Sequence, residues 1–146
     1  MTAVEPVERR LDVVAIDHVV VVVRDMADAV ARYTRIFGPP ALVTGGAEVG
    51  YHRAVFELGR SGQKVELCQP LDPNERGGDS QASRAFRNRL DRSGEGLHNL
   101  ALRVTSVAET RERLTANDLP LIASAHSDTF FVHPDAAAGA LIQFMP

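Results

Sequence analysis

Tryptophan is absent from the 146 residues, Lys64 is the one lysine and Cys68 the one cysteine. A single thiol excludes an internal disulfide and a multi-thiolate zinc site. With no base near it in the sequence, Cys68 reads as a small buried strand residue. Aromatic residues make up 5% of the chain, too few for a platform on which bases stack. Formal charge is −3, and 15 of the 16 basic residues are arginine. That acidic balance argues against nucleic acid or an anionic membrane as partner. The longest apolar run, residues 19–23, is far too short to span a bilayer. Residues 1–11 are charged and lack the apolar stretch of a secretory signal, so a cytoplasmic location is expected.

What is present is ordinary for one compact domain: 45% hydrophobic and 24% charged residues. Residues 1–12 read as a frayed arm. A β-branched run over 13–23 predicts a strand covered on both faces. Asp25 predicts the cap of a helix over 26–37, with Met26, Ala29, Val30, Tyr33, Ile36 and Phe37 along one side and Gly38-Pro39-Pro40 as its stop. Strands follow at about 41–44, 51–58 and 64–69, with Gly45-Gly46 and residues 59–62 as the turns. Residues 71–80 are a polar linker, after which Asp79 or Ser80 caps a helix over 81–92 carrying Ala82, Ala85, Phe86 and Leu90 on its apolar side. Residues 71–96 thus separate two segments, 13–70 and 97–146.

The second segment repeats the first. A strand over 97–104 precedes a helix over 107–116 capped by Ser106, and three strands follow at 119–125, 129–133 and 140–145. Met26 and Val107 each begin a helix, and they are 81 residues apart, as are Tyr33 and Leu114. A βαβββ unit repeated in tandem predicts an α+β fold: two modules forming a curved mixed sheet around a cleft, helices outside. Such a concave interior suits a small molecule, and inward residues of the two halves meet there.

Five stretches carry a family resemblance: Ile16-Asp17-His18 before a valine run; Val65-Glu66-Leu67 with Pro70; Gly94-Glu95-Gly96-Leu97-His98; Phe131-Val132-His133-Pro134; and Gly139-Ala140-Leu141-Ile142. From about residue 13 to 145 the chain resembles the vicinal oxygen chelate superfamily, which includes glyoxalase I, extradiol dioxygenases and bleomycin-resistance proteins. Within it the likeness is greatest to methylmalonyl-CoA epimerases. The resemblance implies a homodimer and a divalent metal held by one side chain from the first and one from the last strand of each module. Carried over, these are His18 and Glu66, then Asn99 and Gln143, where the family has histidine and glutamate. His98 retains the first member of the family's His-His pair. Arg53 stands near the place of another catalytic glutamate.

That substitution pattern changes the chemistry. Epimerisation between two carbonyls needs a base on each face of the carbon. A carboxamide has no proton to exchange near neutral pH. Three readings follow. The first is a divergent enzyme acting on an acyl-thioester or polyketide-like carbonyl compound by isomerase, lyase or cyclisation chemistry. There His18 and Glu66 are the acid–base pair, and Asn99, Gln143, Arg53 and Arg103 bind substrate. The second is a metal-free protein that sequesters a small molecule, and the third a metal-dependent epimerase. The expected cofactor is accordingly none, or a weakly held cobalt, zinc, nickel or iron ion on His18, Glu66 and Gln143. His133-Pro134 reads as a turn-former. His52, His98 and His126 have no spacing that marks a site. The arginines of the linker helix read as a solvated face.

Overall fold

The computed structural model describes residues 10–126 and 128–146, so most of the expected arm lies outside the described residues. Among the described residues, eight strands and two of the three α-helices form two βαβββ runs, with a 3-10 turn at Pro134–Ala136. The first run is β1 (Val13–Val22), α1 (Met26–Phe37), β2 (Leu42–Gly46), β3 (Tyr51–Leu58) and β4 (Gln63–Pro70). After α2 (Gln81–Ser93), the second is β5 (Gly96–Val104), α3 (Val107–Ala116), β6 (Leu121–Ala123), β7 (Phe130–Val132) and β8 (Leu141–Met145). The strands form one sheet in the order β2-β3-β4-β1-β5-β8-β7-β6. In each run the first and last strands are parallel neighbours. β1 and β5 pair antiparallel in the middle of the sheet, so the two modules close within one chain.

Local chemistry explains the boundaries. Asp25 accepts a hydrogen bond from the Asp28 amide at 2.9 Å and opens α1. Gly38 ends it at φ 87°, its N–H donating to the Thr34 carbonyl. Ser106 accepts from the Glu109 amide at the start of α3. Of the two expected caps of α2, the hydroxyl of Ser80 takes the role, accepting from the Ser83 amide at 3.0 Å.

Two local expectations need correction. Gly45 and Gly46 do not form the turn; both lie in β2, opposite His52 and Tyr51. The strands approach so closely there that a Cβ on Gly45 would sit 2.5 Å from the His52 Cα, and the chain reverses only at 47–50. Ile36 is 66% exposed, because it sits at the margin of the apolar stripe in the last turn of α1.

The two outer helices cover one face of the sheet. α1 packs on Val21, Val23, Ala54, Phe56, Val65 and Leu67, and α3 on Val104, Phe130, Val132 and Phe144. Phe56 and Phe130 are 1% exposed, each burial contributing roughly 1.5–3 kcal/mol. The linker helix α2 lies on the other, concave face, against Val20, Val22 and Cys68 through Phe86 and Leu90. Its first turn is anchored to the β2–β3 turn: the hydroxyls of Ser80 and Ser83 both donate to the Gly50 carbonyl, at 2.6 and 2.5 Å. The Arg87 guanidinium, expected on a solvated face, donates to the carbonyls of Leu71 and Gly78 at 2.7 and 2.6 Å. No described helix is long and apolar enough to cross a membrane.

Gly50 tests this anchorage. It has φ +88°, and a Cβ there would lie 2.8 Å from Ser80 Cβ, whereas Gly38, with φ +87°, has open space at the same point. Gly50→Ala is expected to lower stability by about 1–3 kcal/mol and Gly38→Ala by less, in parallel thermal denaturation; equal losses would mean that α2 yields without cost.

Candidate active site

Besides a slip at Val14 near the start of β1, the β1–β5 pairing has two irregularities that the repeat relates to each other. Ile16 pairs with Leu102 and His18 with Ala101, which leaves Asp17 as an extra residue of β1. Val20 pairs with Asn99 and Val21 with Leu97, which leaves His98 as an extra residue of β5. A bulge breaks the alternation of side chains between faces. Asp17 and His18 therefore both line the concave hollow, as do His98 and Asn99. The 81-residue repeat relates Asp17 to His98 and His18 to Asn99. The last strands match too: Glu66 pairs with Val20 and Gln143 with Ala101, residues that the same offset relates.

The hollow measures about 430 Å³, the size of a small-molecule site. Its polar end begins at Asp17, 8% exposed, whose Oδ2 receives His18 Nδ1 at 2.7 Å. This bond orients the ring so that Nε2 is directed toward Glu66. Nε2 lies 3.8 Å from Oε2 of Glu66, itself 9% exposed. On the far side of that carboxylate, Nη1 of Arg53 is 3.8 Å from Oε1. Lys64 Nζ and Arg103 Nε lie 3.8 and 3.9 Å from Asp17, balancing its charge. The Asn99 amide donates to Gln143 Oε1 at 3.2 Å. The rest of the wall is largely apolar, with Val49, Ala85, Phe86, Phe131, Leu141 and Met145.

Of the residues singled out in the sequence, His18, Glu66, Asn99, Gln143 and Arg53 share this hollow. Arg103 lies outside the lining and faces Asp17 instead. Sequence reasoning passed over Asp17, Tyr51 and the wall supplied by α2; His98, which could share the cleft only if its strand were irregular, does so through the bulge. Regular alternation places Asp17 and His98 on the opposite face; the repeat, which superimposes one polar pair on the other, was the available sign. His133 does shape the β7–β8 connection, accepting from the Asp135 amide at 3.0 Å.

A family model, the Glyoxalase/Bleomycin resistance protein/Dioxygenase superfamily, matches residues 17–132. The chain belongs to this superfamily. Its fold is shared with the crystal structure of methylmalonyl-CoA epimerase from Mycobacterium tuberculosis, 25% identical over 92% of this chain and 89% of that one, with a TM-score of 0.72. A hypothetical protein from Bacillus halodurans is similar at 23% identity over 89% and 91% of the two chains, TM-score 0.72. A variant of Streptomyces coelicolor methylmalonyl-CoA epimerase in complex with 2-nitronate-propionyl-CoA is similar at 19% identity over 90% and 96%, TM-score 0.71. No curated protein matches the chain.

The metal that superfamily resemblance implies does not fit the side chains at its position. One imidazole nitrogen and one carboxylate are good donors, but the other two positions are carboxamides already bonded to each other. The negative charge that would attract a dication is also compensated, Glu66 by the guanidinium of Arg53 and Asp17 by Lys64 and Arg103.

Burial tunes three neighbours. Desolvation, with Cys68 and Glu66 nearby, raises the Tyr51 phenol above its usual range, so it stays a hydrogen-bond donor. Burial first and Glu66 second push the Cys68 thiol up, away from the thiolate a nucleophile requires. His98, edge-on to Phe86 with ring centroids 5.3 Å apart, is pushed down to about 4 by desolvation and then by Arg89.

That depression makes stability depend on pH. Below its ordinary value of 6.5, the unfolded chain binds a proton at His98 before the folded one does. The contribution is therefore full above pH 6.5 and is lost as pH falls toward 4. Between urea titrations at pH 7 and pH 4.5, the wild type should lose up to about 3 kcal/mol more than His98→Phe. Equal losses would place the ring in water.

Proposed function

We propose that the chain is an enzyme of acid–base chemistry, acting without a resident metal on a compact enolisable carbonyl compound, an acyl-thioester or polyketide-like molecule. The observation that carries this reading is the buried series Asp17–His18–Glu66 with Arg53 beyond it, opening into an apolar hollow. Asp17 holds the Nδ1 proton, and Nε2 of His18 removes a proton from the carbon beside a carbonyl. The terminal nitrogens of Arg53 and the free amide hydrogens of Gln143 receive the negative charge that develops on the oxygen. Glu66, on the strand next to His18 and with Oε2 3.8 Å from Nε2, takes the proton over from the imidazolium and returns it at an adjacent atom.

Both proton-transfer groups come from one module; the other offers two carboxamides and His98, whose lowered proton affinity makes it a weak base. This arrangement favours a proton shift between neighbouring atoms, an elimination or a cyclisation over inversion at one carbon. The apolar wall supports a second reading, a protein that sequesters its ligand unchanged. A homodimer goes with either reading; the open edge of β2, where Leu42 and Val43 are exposed, supports it.

Proton–deuterium exchange on acetoacetyl- and methylmalonyl-CoA, followed by NMR, is the direct test. Exchange is expected in wild type, reduced roughly 10²–10⁴-fold by Glu66→Gln or His18→Gln, and unchanged by added cobalt or zinc. Recovery of unexchanged compound from a stoichiometric complex would support sequestration. Activity that appears only with metal would restore the epimerase reading.

A further inference from the structure

The hollow has three walls. Its floor is the sheet, one side is α2 through Ala82, Ala85 and Phe86, and the other is the end of β6 and the following loop, Ile122 and Ser124 to His126. The α2 side is firmly tied to the first module by Ser80 and Ser83 on Gly50. The loop side belongs to the second module and follows a three-residue edge strand paired on one side only. Among the described residues, one side chain hydrogen-bonds the two sides together. Gln81, in the first turn of α2, donates from Nε2 to the Ala123 carbonyl at 2.7 Å, and its Oε1 accepts from the Ala125 amide, also at 2.7 Å. A carboxamide engaged this way imitates a strand neighbour, adding a donor and an acceptor to the unpaired edge.

We infer that Gln81 is a specificity-determining residue: its paired hydrogen bonds hold residues 123–126 against α2 and so set the largest rigid group that the hollow admits. The inference rests on the hollow being the binding site, but not on the chemistry done there. Among the described residues, the other hydrogen bonds here are Ser124 Oγ accepting from the His126 amide, the His126 carbonyl accepting from Thr129, and, at the far end, the Thr129 carbonyl accepting from Arg111 at 3.5 Å. Without the Gln81 carboxamide, the Ala125 N–H and the Ala123 carbonyl turn to water and residues 124–126 are free to move away from α2. Floor residues keep their places, because β1, β4 and β5 are held by their own ladders.

Two measurements on the full chain test this. Amide hydrogen exchange in the unliganded protein should show protection at Ala125 falling at least about fivefold in Gln81→Ala and in the shorter Gln81→Asn, with protection in β1 and β4 unchanged. Binding of 2-oxo acids bearing phenyl, naphthyl and anthracenyl groups, measured by calorimetry, should then report size selection. The wild type is expected to prefer the phenyl over the anthracenyl compound by about tenfold or more, and both variants to bring the two within about threefold. Unchanged protection at Ala125, the same preference in variants and wild type, or no binding of the series to any of the proteins would each overturn the inference. Binding that changes as expected, with no turnover of any compound, would leave the clasp standing while removing the proposed catalysis.

Discussion

The antiparallel pairing of β1 with β5 is the constraint on which everything else depends. It fuses two four-stranded units into one sheet and sets the axis about which they are related. An uninterrupted ladder would send Asp17 and His98 to the outer face, under or beside the helices. The two bulges turn them inward instead, so that each module presents two consecutive polar side chains to the hollow. The repeated backbone irregularity builds a site; the residues that occupy it then diverge between the halves.

That divergence is chemical. The first module supplies an acid, an imidazole and a second carboxylate in buried succession, and the second supplies a neutral imidazole and two carboxamides. Buried carboxylates need compensation, and here it comes from fixed cations: Arg53 for Glu66, and Lys64 and Arg103 for Asp17. A site whose charges are already matched by side chains has little left to attract a dication. It does suit proton movement, because the imidazole stands between two carboxylates without being closed off from the cavity.

The linker helix changes the character of the cleft. Two outer helices leave the concave face of such a sheet bare, but α2 crosses onto it and turns an open trough into a hollow with a wall. Two of its arginines serve structure, while Arg84 and Arg92 are exposed: Arg87 braces two carbonyls of the preceding linker, and Arg89 lies beside Gly96 and lowers the affinity of His98 for a proton. The wall is tied to both modules, by hydroxyls at one end and by a carboxamide at the other.

Much of this was legible in the chain itself. Apolar periodicity, capping residues such as Asp25 and Ser106, and the glycine stops located nearly every element, because they act over a few residues. The 81-residue repeat carried the symmetry and, with it, the equivalence of His18 and Asn99. Other features depend on distant strands. The role of Gly45 follows from the closeness of β3, and the inward turn of Asp17 and His98 from a slip in a partner nearly eighty residues away. Nor does an amphipathic helix state which face of a sheet it will cover, and Gln81 shows no local sign that its partners are Ala123 and Ala125. Composition and spacing thus determined the modules and the polar residues available. Tertiary contact decided which of them share a cavity, since side-chain direction in a sheet is set by register, and register is fixed only when the strands meet.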